Sequence, residues 1–390
     1  MIPRGKLDIT YADVFAGFRF CLLDYLKRTK FLKSNVFAPN LLPCLSVRSG
    51  FDLVLRALNL PPDSEVLMTD ISIPGMFQIL EAHQLTAIPL SINKHNLTIS
   101  AADFSAAITE KSKAVIFTHL FGATMELTEL VAIAKSRGLL VIEDCAQAYT
   151  NNDFAGTAGS DIRMFSFGMI KTNTALSGAL LHICDLELYQ RVATLQEALP
   201  EQRRIIFLKK LFFAFVIKLL TTPIIYSLFY QLILALGKDP DDVLSGFTRG
   251  FPGASILMKI RFKPSLIIKQ MIARKIENFS QRSIDSRREF ALGVMARIPA
   301  LMKIGSENMH HSFWVLPIEA KNPLALIQLL RSAGFDATMK ASSLVKMKSS
   351  NPGKPNELTL QNLIYLPMWP NMSKKRRRNL GEILNEASSD

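Results

Sequence analysis

At 390 residues the chain exceeds what one small core absorbs, which excludes a single minimal domain and favours a large domain with a smaller one. Hydrophobic residues make up 49% and charged ones 20%, oily for a soluble enzyme, and the net charge of +13 turns the chain toward polyanions: nucleic acid, an anionic membrane face or a phosphorylated ligand. Cys21, Cys44, Cys145 and Cys184 show no CxxC or other metal-ligand spacing, so reduced thiols of a cytosolic protein are expected.

Met1 to Thr10 carries charges and no apolar core, unlike a secretory leader. Residues 11–31 read as a helix rich in Val14, Phe18, Leu22 and Leu26 and closing on Lys27 and Arg28, where cations suit the helix dipole. It packs on its own domain or a dimer partner, or touches a membrane. Leu45 to Arg48 leads into Ser49-Gly50-Phe51 and a helical pattern. Ser49 is the expected N-cap, and the free N–H groups of the next turn can face a phosphate. Strand signals at 65–68, 86–90 and 114–117 alternate with helical ones at 76–83 and 100–109, the pattern of βαβ units and a mostly parallel sheet. His119, at a strand end, is expected to hydrogen-bond a loop.

Leu139 to Ile142 is a continuous apolar run, as in a strand buried on both faces, and it ends in Glu143-Asp144. A second run, Met164 to Met169, leads to Lys171. Open α/β sheets bind ligands at such strand ends, so the acid and the amine can meet around a pyridinium ring.

Three blocks in this region, Glu143 to Tyr149, Gly156 to Asp161 and Ser166 to Lys171, resemble the DegT/DnrJ-type sugar aminotransferases, a fold-type-I family that uses pyridoxal 5'-phosphate (PLP). The resemblance covers about residues 45–200 and 265–385. It implies an α/β large domain and a smaller α+β C-terminal domain. It also implies covalent attachment of PLP to Lys171, Asp144 at the pyridine nitrogen, Gln147 beside the phenolic oxygen, and Ser166 on the phosphate. Ser49, Gly50 and Phe51 stand at the family's phosphate-binding Ser-Gly-Thr, with Phe51 lacking the hydroxyl. Arg261 or Lys263 stands where a partner subunit often reaches the phosphate, before a long helix over 266–290. Ile73 occupies the place of a stacking aromatic ring, with Phe77 as an alternative. Ala175 to Ala179 departs from the family's glycine-rich turn. The implied reaction is transamination from an amino-acid donor to a keto-sugar or lipid-linked carbonyl acceptor by a homodimer. A non-catalytic scaffold, or another PLP reaction such as decarboxylation or acyl condensation, is the alternative.

Between Leu211 and Leu236 the only charge is Lys218, a length that can cross a bilayer. One crossing would part the two halves of a single fold, so the expectation is an in-plane or re-entrant pair broken at Thr222-Pro223. Lys209, Lys210 and Lys218 would reach lipid headgroups, helped by Arg203, Arg204, Lys259, Arg261, Lys263, Lys269, Arg274 and Lys275. A hydrophobic dimer interface is the other reading. The chain therefore divides into an N-terminal helical segment (1–44), a PLP-binding large domain (45–202), an apolar membrane-associating insertion (203–258) and a connecting helix with a small domain (259–390). It is placed at the cytoplasmic side of the inner or plasma membrane. Lys374 to Arg378 opens a C-terminal helix, and without interleaved aromatics it gives no nucleic-acid motif.

Overall fold

The structure, a computed structural model, describes residues 1–28, 37–150, 156–248, 255–341, 343–348 and 356–389. Its elements in order are α1 (Tyr11–Tyr25), β1 (Leu41–Cys44), α2 (Val47–Leu58), β2 (Glu65–Thr69), β3 (Ile71–Ser72), α3 (Pro74–Ala82), β4 (Thr86–Leu90), α4 (Ala101–Ala107), β5 (Ser112–Thr118), α5 (Thr128–Ser136), β6 (Leu140–Asp144), β7 (Ile162–Ser166), β8 (Ala179–Ile183) and α6 (Leu186–Glu197). There follow α7 (Arg204–Leu220), α8 (Pro223–Ala235), α9 (Pro240–Thr248), α10 (Ile256–Ile260), α11 (Leu266–Glu277), α12 (Gln281–Met295), β9 (Leu316–Glu319), α13 (Pro323–Ser332), β10 (Val345–Lys346), β11 (Leu363–Leu366) and α14 (Lys374–Ser389).

Seven strands form one sheet in the order β1-β8-β7-β6-β5-β2-β4. The run from β4 to β7 is parallel, as the alternating pattern implied, whereas β8 pairs antiparallel with both β7 and β1. Because β1 is the sheet's edge strand, residues 41–44 belong to the large domain rather than to the N-terminal segment. Val66, Met68, Ile116 and Ile142 are buried on one face, and Leu67, Val115 and Val141 on the other. Helices cover both faces, which explains why these strands read as unbroken apolar runs. Gly50 on α2 sits so close to the sheet that an added Cβ would lie 2.5 Å from Leu181 of β8, so its role is helix–sheet packing. The small domain pairs β9 with β11 and packs α12, α13 and α14 around them.

Local details depart from the sequence reading in three places. Helix α1 ends at Tyr25, and Lys27 lies beyond it with φ 53°, so the cations do not sit in the last turn; residues 29–31 fall outside the described part. Helix α2 starts earlier than expected, because Ser46 rather than Ser49 is the N-cap: its Oγ accepts the Ser49 N–H at 3.1 Å. The single helix expected over 266–290 is two helices separated at Asn278–Ser280.

The apolar segment folds as α7 and α8, bent by 97° at a break before Pro223. Among the described residues no single helix is long and apolar enough to cross a membrane, while this pair together is. Phe207, Leu211 and Ala214 recur at helical spacing on the buried face of α7, in one core with Val14 and Cys21 of α1 and Met271 of α11. Two of the lysines expected at headgroups turn inward instead. Lys210 donates to Ser177 Oγ at 2.9 Å, and Lys218 donates to the Ile9 carbonyl at 2.6 Å. The basic cluster is also largely neutralised within the chain. Arg204 pairs with Asp24, Arg261 with Asp52, Lys263 with Glu197, and Arg274 and Lys275 with Asp13.

Candidate active site

Strands β5, β6 and β7 end side by side. Thr118 is in register with Asp144, and these two and Ser166, the last residues of the three parallel strands, line one crevice. The chain leaves β7 at Ser166 and turns through Gly168, whose carbonyl accepts the Lys171 N–H at 3.0 Å, returning the lysine to that crevice. The resulting cavity of about 1330 Å³ is lined by Asp144, Gln147, Ser166 and Lys171, so four sequence-expected residues meet there.

Burial pushes the Asp144 carboxyl up, opposed by the Ala146 N–H donated to its Oδ1 at 3.0 Å and by the charges of Lys171 and Arg48. Lys171 is lowered from 10.5 to about 8, chiefly by burial; Asp144 opposes that fall and Arg48 adds to it. The cavity thus holds an amine that sheds its proton near pH 8 beside a buried acid. Gln147 Oε1 accepts the Phe121 N–H at 2.8 Å, leaving the amide N–H groups as donors. Ser166 Oγ accepts the Gly168 N–H at 3.3 Å and keeps its own proton to donate.

The other expected residues lie elsewhere. Ser49, Gly50 and Phe51 are buried within α2, one turn past its start, and the wall is formed instead by Ser46, Val47 and Arg48 at the N-terminal end of the helix. Arg261 turns to Asp52, donating from Nε at 3.0 Å and from Nη2 at 2.9 Å. Ile73 does line the cavity, while Phe77 packs against the core beneath α2.

Three wall residues were not found from sequence. Trp314 lies against the lysine, with Lys171 Nζ 4.3 Å from the ring centroid and the indole N–H donated to the Ile170 carbonyl at 2.8 Å. Gly122 permits this approach: at φ 94° an added Cβ would come within 2.5 Å of the Trp314 nitrogen. Thr118 is 3% exposed, and its Oγ1 has no hydrogen-bond partner among the described residues. Lys210 reaches in from α7 beside Ser177, and burial lowers its ammonium to about 8. Thr118 closes the strand signalled at 114–117, whereas Trp314 and Lys210 arrive from distant segments whose orientation toward the cavity no local pattern encodes.

The pyridine-based cofactor implied by the resemblance fits this wall. The first turn of α2, the hydroxyls of Ser46, Ser166 and Ser177 and the ammonium of Lys210 suit a phosphate. Asp144 suits a protonated ring nitrogen, and the orphaned Thr118 hydroxyl gains a partner from any polar ring substituent. His119, Glu143 and Cys145 also cluster, within 4.8 Å, but hydrogen bonds already hold them. The Met125 N–H is donated to His119 Nδ1 at 2.9 Å, and His119 Nε2 therefore donates to Glu143 Oε2 at 3.0 Å. As expected from sequence, His119 fastens a loop.

Residues 40–205 match the model of the DegT/DnrJ/EryC1/StrS aminotransferase family, a match that stops where α7 begins. The chain is 33% identical over 142 residues to GDP-perosamine synthase of Escherichia coli O157:H7, covering 36% of this chain and 39% of that protein. It is 31% identical over 157 residues to a UDP-N-acetyl-3-dehydro-alpha-D-glucosamine 3-aminotransferase of Acidithiobacillus ferrooxidans, covering 39% of this chain and 42% of that one. The matched part thus spans about two fifths of these curated relatives. In fold the likeness extends further: the sugar aminotransferase CalS13 of Micromonospora echinospora superposes with TM-score 0.63 at 18% identity, covering 99% of this chain and 100% of that one. Residues 40–205 thus match the DegT/DnrJ/EryC1/StrS aminotransferase family, and the chain as a whole shares the fold of CalS13.

Proposed function

We propose that the chain is a PLP-dependent aminotransferase that carries an amino group from an amino acid to a carbonyl-bearing sugar presented at a membrane surface. The observation that carries this reading is the joint presence of Asp144 and Lys171 in one cavity at the sheet's C-terminal edge. PLP, when bound, supplies an aldehyde carbon and a cationic ring that accepts electrons. The residues do the rest. Asp144, whose carboxyl burial pushes up against the opposing charges of Lys171 and Arg48, would pair with the ring nitrogen and keep it protonated. Lys171, unprotonated in a useful fraction near pH 8, takes and returns the proton at the donor's Cα. Trp314 limits where the lysine amine can swing. Retention of both the lysine and the acid weighs against a non-catalytic scaffold.

For the acceptor, the wall formed by α7 favours a lipid-linked sugar over a free nucleotide sugar. Ile205, Ile206, Phe212 and Phe213 line the same cavity as Lys171, and Phe212 is also 64% exposed. An apolar tether can therefore lie along the helix while its carbonyl head reaches the amine. The pair α7–α8 would hold the protein as a monotopic or peripheral protein on the cytoplasmic face of the membrane, and the active unit would be a homodimer. Purified protein should show a visible PLP absorbance band that Lys171→Ala abolishes, and should aminate a lipid-linked keto-sugar. A band that survives Lys171→Ala, or none in the wild type, refutes the cofactor reading.

A further inference from the structure

A second cavity, of about 720 Å³, adjoins the first: Met169, Ile170, Lys171 and Trp314 line both. Part of its wall is cationic. Lys6, Lys218 and Arg282 line it, and among the described residues none of the three forms an ion pair. Arg4, on the same wall, shows the contrast: Asp336 accepts from its Nε at 2.7 Å and Asp241 from its Nη2 at 2.7 Å. Asp8 is the only acid lining the cavity among the described residues, and its Oδ2 already accepts the Asn173 N–H at 2.9 Å. Lys218 spends one N–H on the Ile9 carbonyl and keeps two to donate. Burial lowers its ammonium, Lys6 and Lys275 lower it further, and Asp8 and Asp13 offset them only in part, so an anion would relieve an existing repulsion. Helix α12 starts at the same space: Ser280, Arg282 and Ser283 line it, and the N-cap Ser280 makes no side-chain capping bond. The positive end of this 15-residue helix adds to the three cations, a setting that favours a multiply charged oxyanion.

The apolar part of the wall comes from α1 and α7. Tyr11, Phe213 and Ile217 line the cavity, and Phe213 lines the first cavity as well. Tyr11 is 40% exposed, and Lys218 Nζ lies 4.8 Å from its ring centroid, so charge and apolar surface meet there. Lys6, Tyr11, Phe213, Lys218 and Arg282 all fall outside residues 40–205, so the site is built from segments beyond the family match.

We infer that this cavity binds the phosphate that joins the acceptor's sugar to its lipid. Lys6, Lys218 and Arg282 hold the anion, Tyr11, Phe213 and Ile217 receive the first stretch of the tether, and the sugar carbonyl reaches Lys171. The inference rests on the lipid-linked reading of the acceptor and deepens it by naming the linkage. A carboxylate would bring one charge to three cations, and a nucleotide would set a polar ribose against Phe213 and Ile217. A lipid phosphate matches both parts of the wall.

The test uses purified full-length protein in detergent with added PLP, read by calorimetry, and farnesyl phosphate as the probe. Farnesol keeps the tether without the anion, and uridine diphosphate supplies the anion without the tether. Farnesyl phosphate should bind at least about 10-fold more tightly than either. The double change Lys6→Met and Arg282→Met, at two exposed positions, should weaken farnesyl phosphate by about 10- to 100-fold while leaving farnesol binding and the PLP absorbance unchanged. Lys218→Met should act in the same direction; should it fail to fold because Ile9 loses its donor, the double variant decides. Equal affinity for farnesyl phosphate and farnesol, or affinity that survives the double variant, would overturn the site. Tighter binding of uridine diphosphate than of farnesyl phosphate would overturn the lipid assignment. Farnesyl phosphate binding that the double variant weakens, in a protein that shows no PLP band, would sink the cofactor reading and leave the phosphate site standing.

Discussion

The amine of Lys171 offers a quantitative test, because its proton affinity has two named opposing neighbours. With its pKa lowered from 10.5 to about 8, roughly half of these amines are unprotonated at pH 8. An ordinary lysine would be about 0.3% unprotonated there, a difference of about 150-fold in reactive amine. The rate of PLP uptake by cofactor-free protein, followed by stopped-flow absorbance from pH 6 to pH 10.5, should therefore rise with a midpoint near 8. Burial is the main cause of the shift, and it persists in surface-neutral variants. Arg48 lowers the midpoint further, so Arg48→Met should move it up by about one pH unit; Asp144 raises it, so Asp144→Asn should move it down by a similar amount. A wild-type midpoint near 10, or movement of both variants in the same direction, would refute the electrostatic account of the cavity.

Two further outcomes follow from the same wall. Asp144→Asn should retain PLP absorbance yet lose at least about 100-fold in turnover, read in single-turnover amination, because the ring loses the anion that keeps its nitrogen protonated. Lys210→Met should weaken PLP by about 10- to 100-fold, measured by equilibrium titration, while leaving pyridoxal, which lacks the phosphate, bound as before.

What was legible in the sequence and what was not divides along chain distance. Asp144 and Lys171 announce themselves because each closes an apolar run, and parallel strands bring their C-terminal ends to one edge whatever the rest of the chain does. The break at Thr222-Pro223 is a local property of proline, and it is where the bend falls. Ser46 and Ser49 both stand at the entry to an apolar helix, and only the tertiary position of β1 decides that Ser46 caps it. Trp314 lies 143 positions beyond Lys171 and reaches it through a backbone approach at Gly122 that no pattern encodes. Lys210 reads as one more cation of an amphipathic segment until the helix is oriented. It then falls three residues after Phe207 and one before Leu211, within the buried stripe.

That orientation also bears on how α7–α8 would meet a bilayer. Helix α7 has 17 residues and α8 has 13, or about 25 Å and 20 Å, each short of the ~30 Å hydrocarbon core. Both spend one face on the protein. Phe207, Leu211 and Ala214 of α7 are buried, as are Tyr226, Tyr230 and Ile233 of α8, and the Tyr226 hydroxyl donates to the buried Asp336 of the small domain. A spanning arrangement would forfeit these contacts, whereas an in-plane one keeps them and offers the lipid the opposite face, where Ile224 is 80% and Leu228 is 68% exposed. Burying one such side chain is worth about 1.5–3 kcal/mol, so the double change Phe212→Asp and Leu228→Asp should cut binding to anionic vesicles by at least about 100-fold in a flotation assay. Tyr226→Phe should leave flotation intact but cost about 1–3 kcal/mol of stability, seen as a lower Tm, because Asp336 loses a buried donor. Should Tyr226→Phe change lipid binding and leave the melt untouched, α8 does not rest on the small domain in the membrane-bound protein, and the in-plane argument fails.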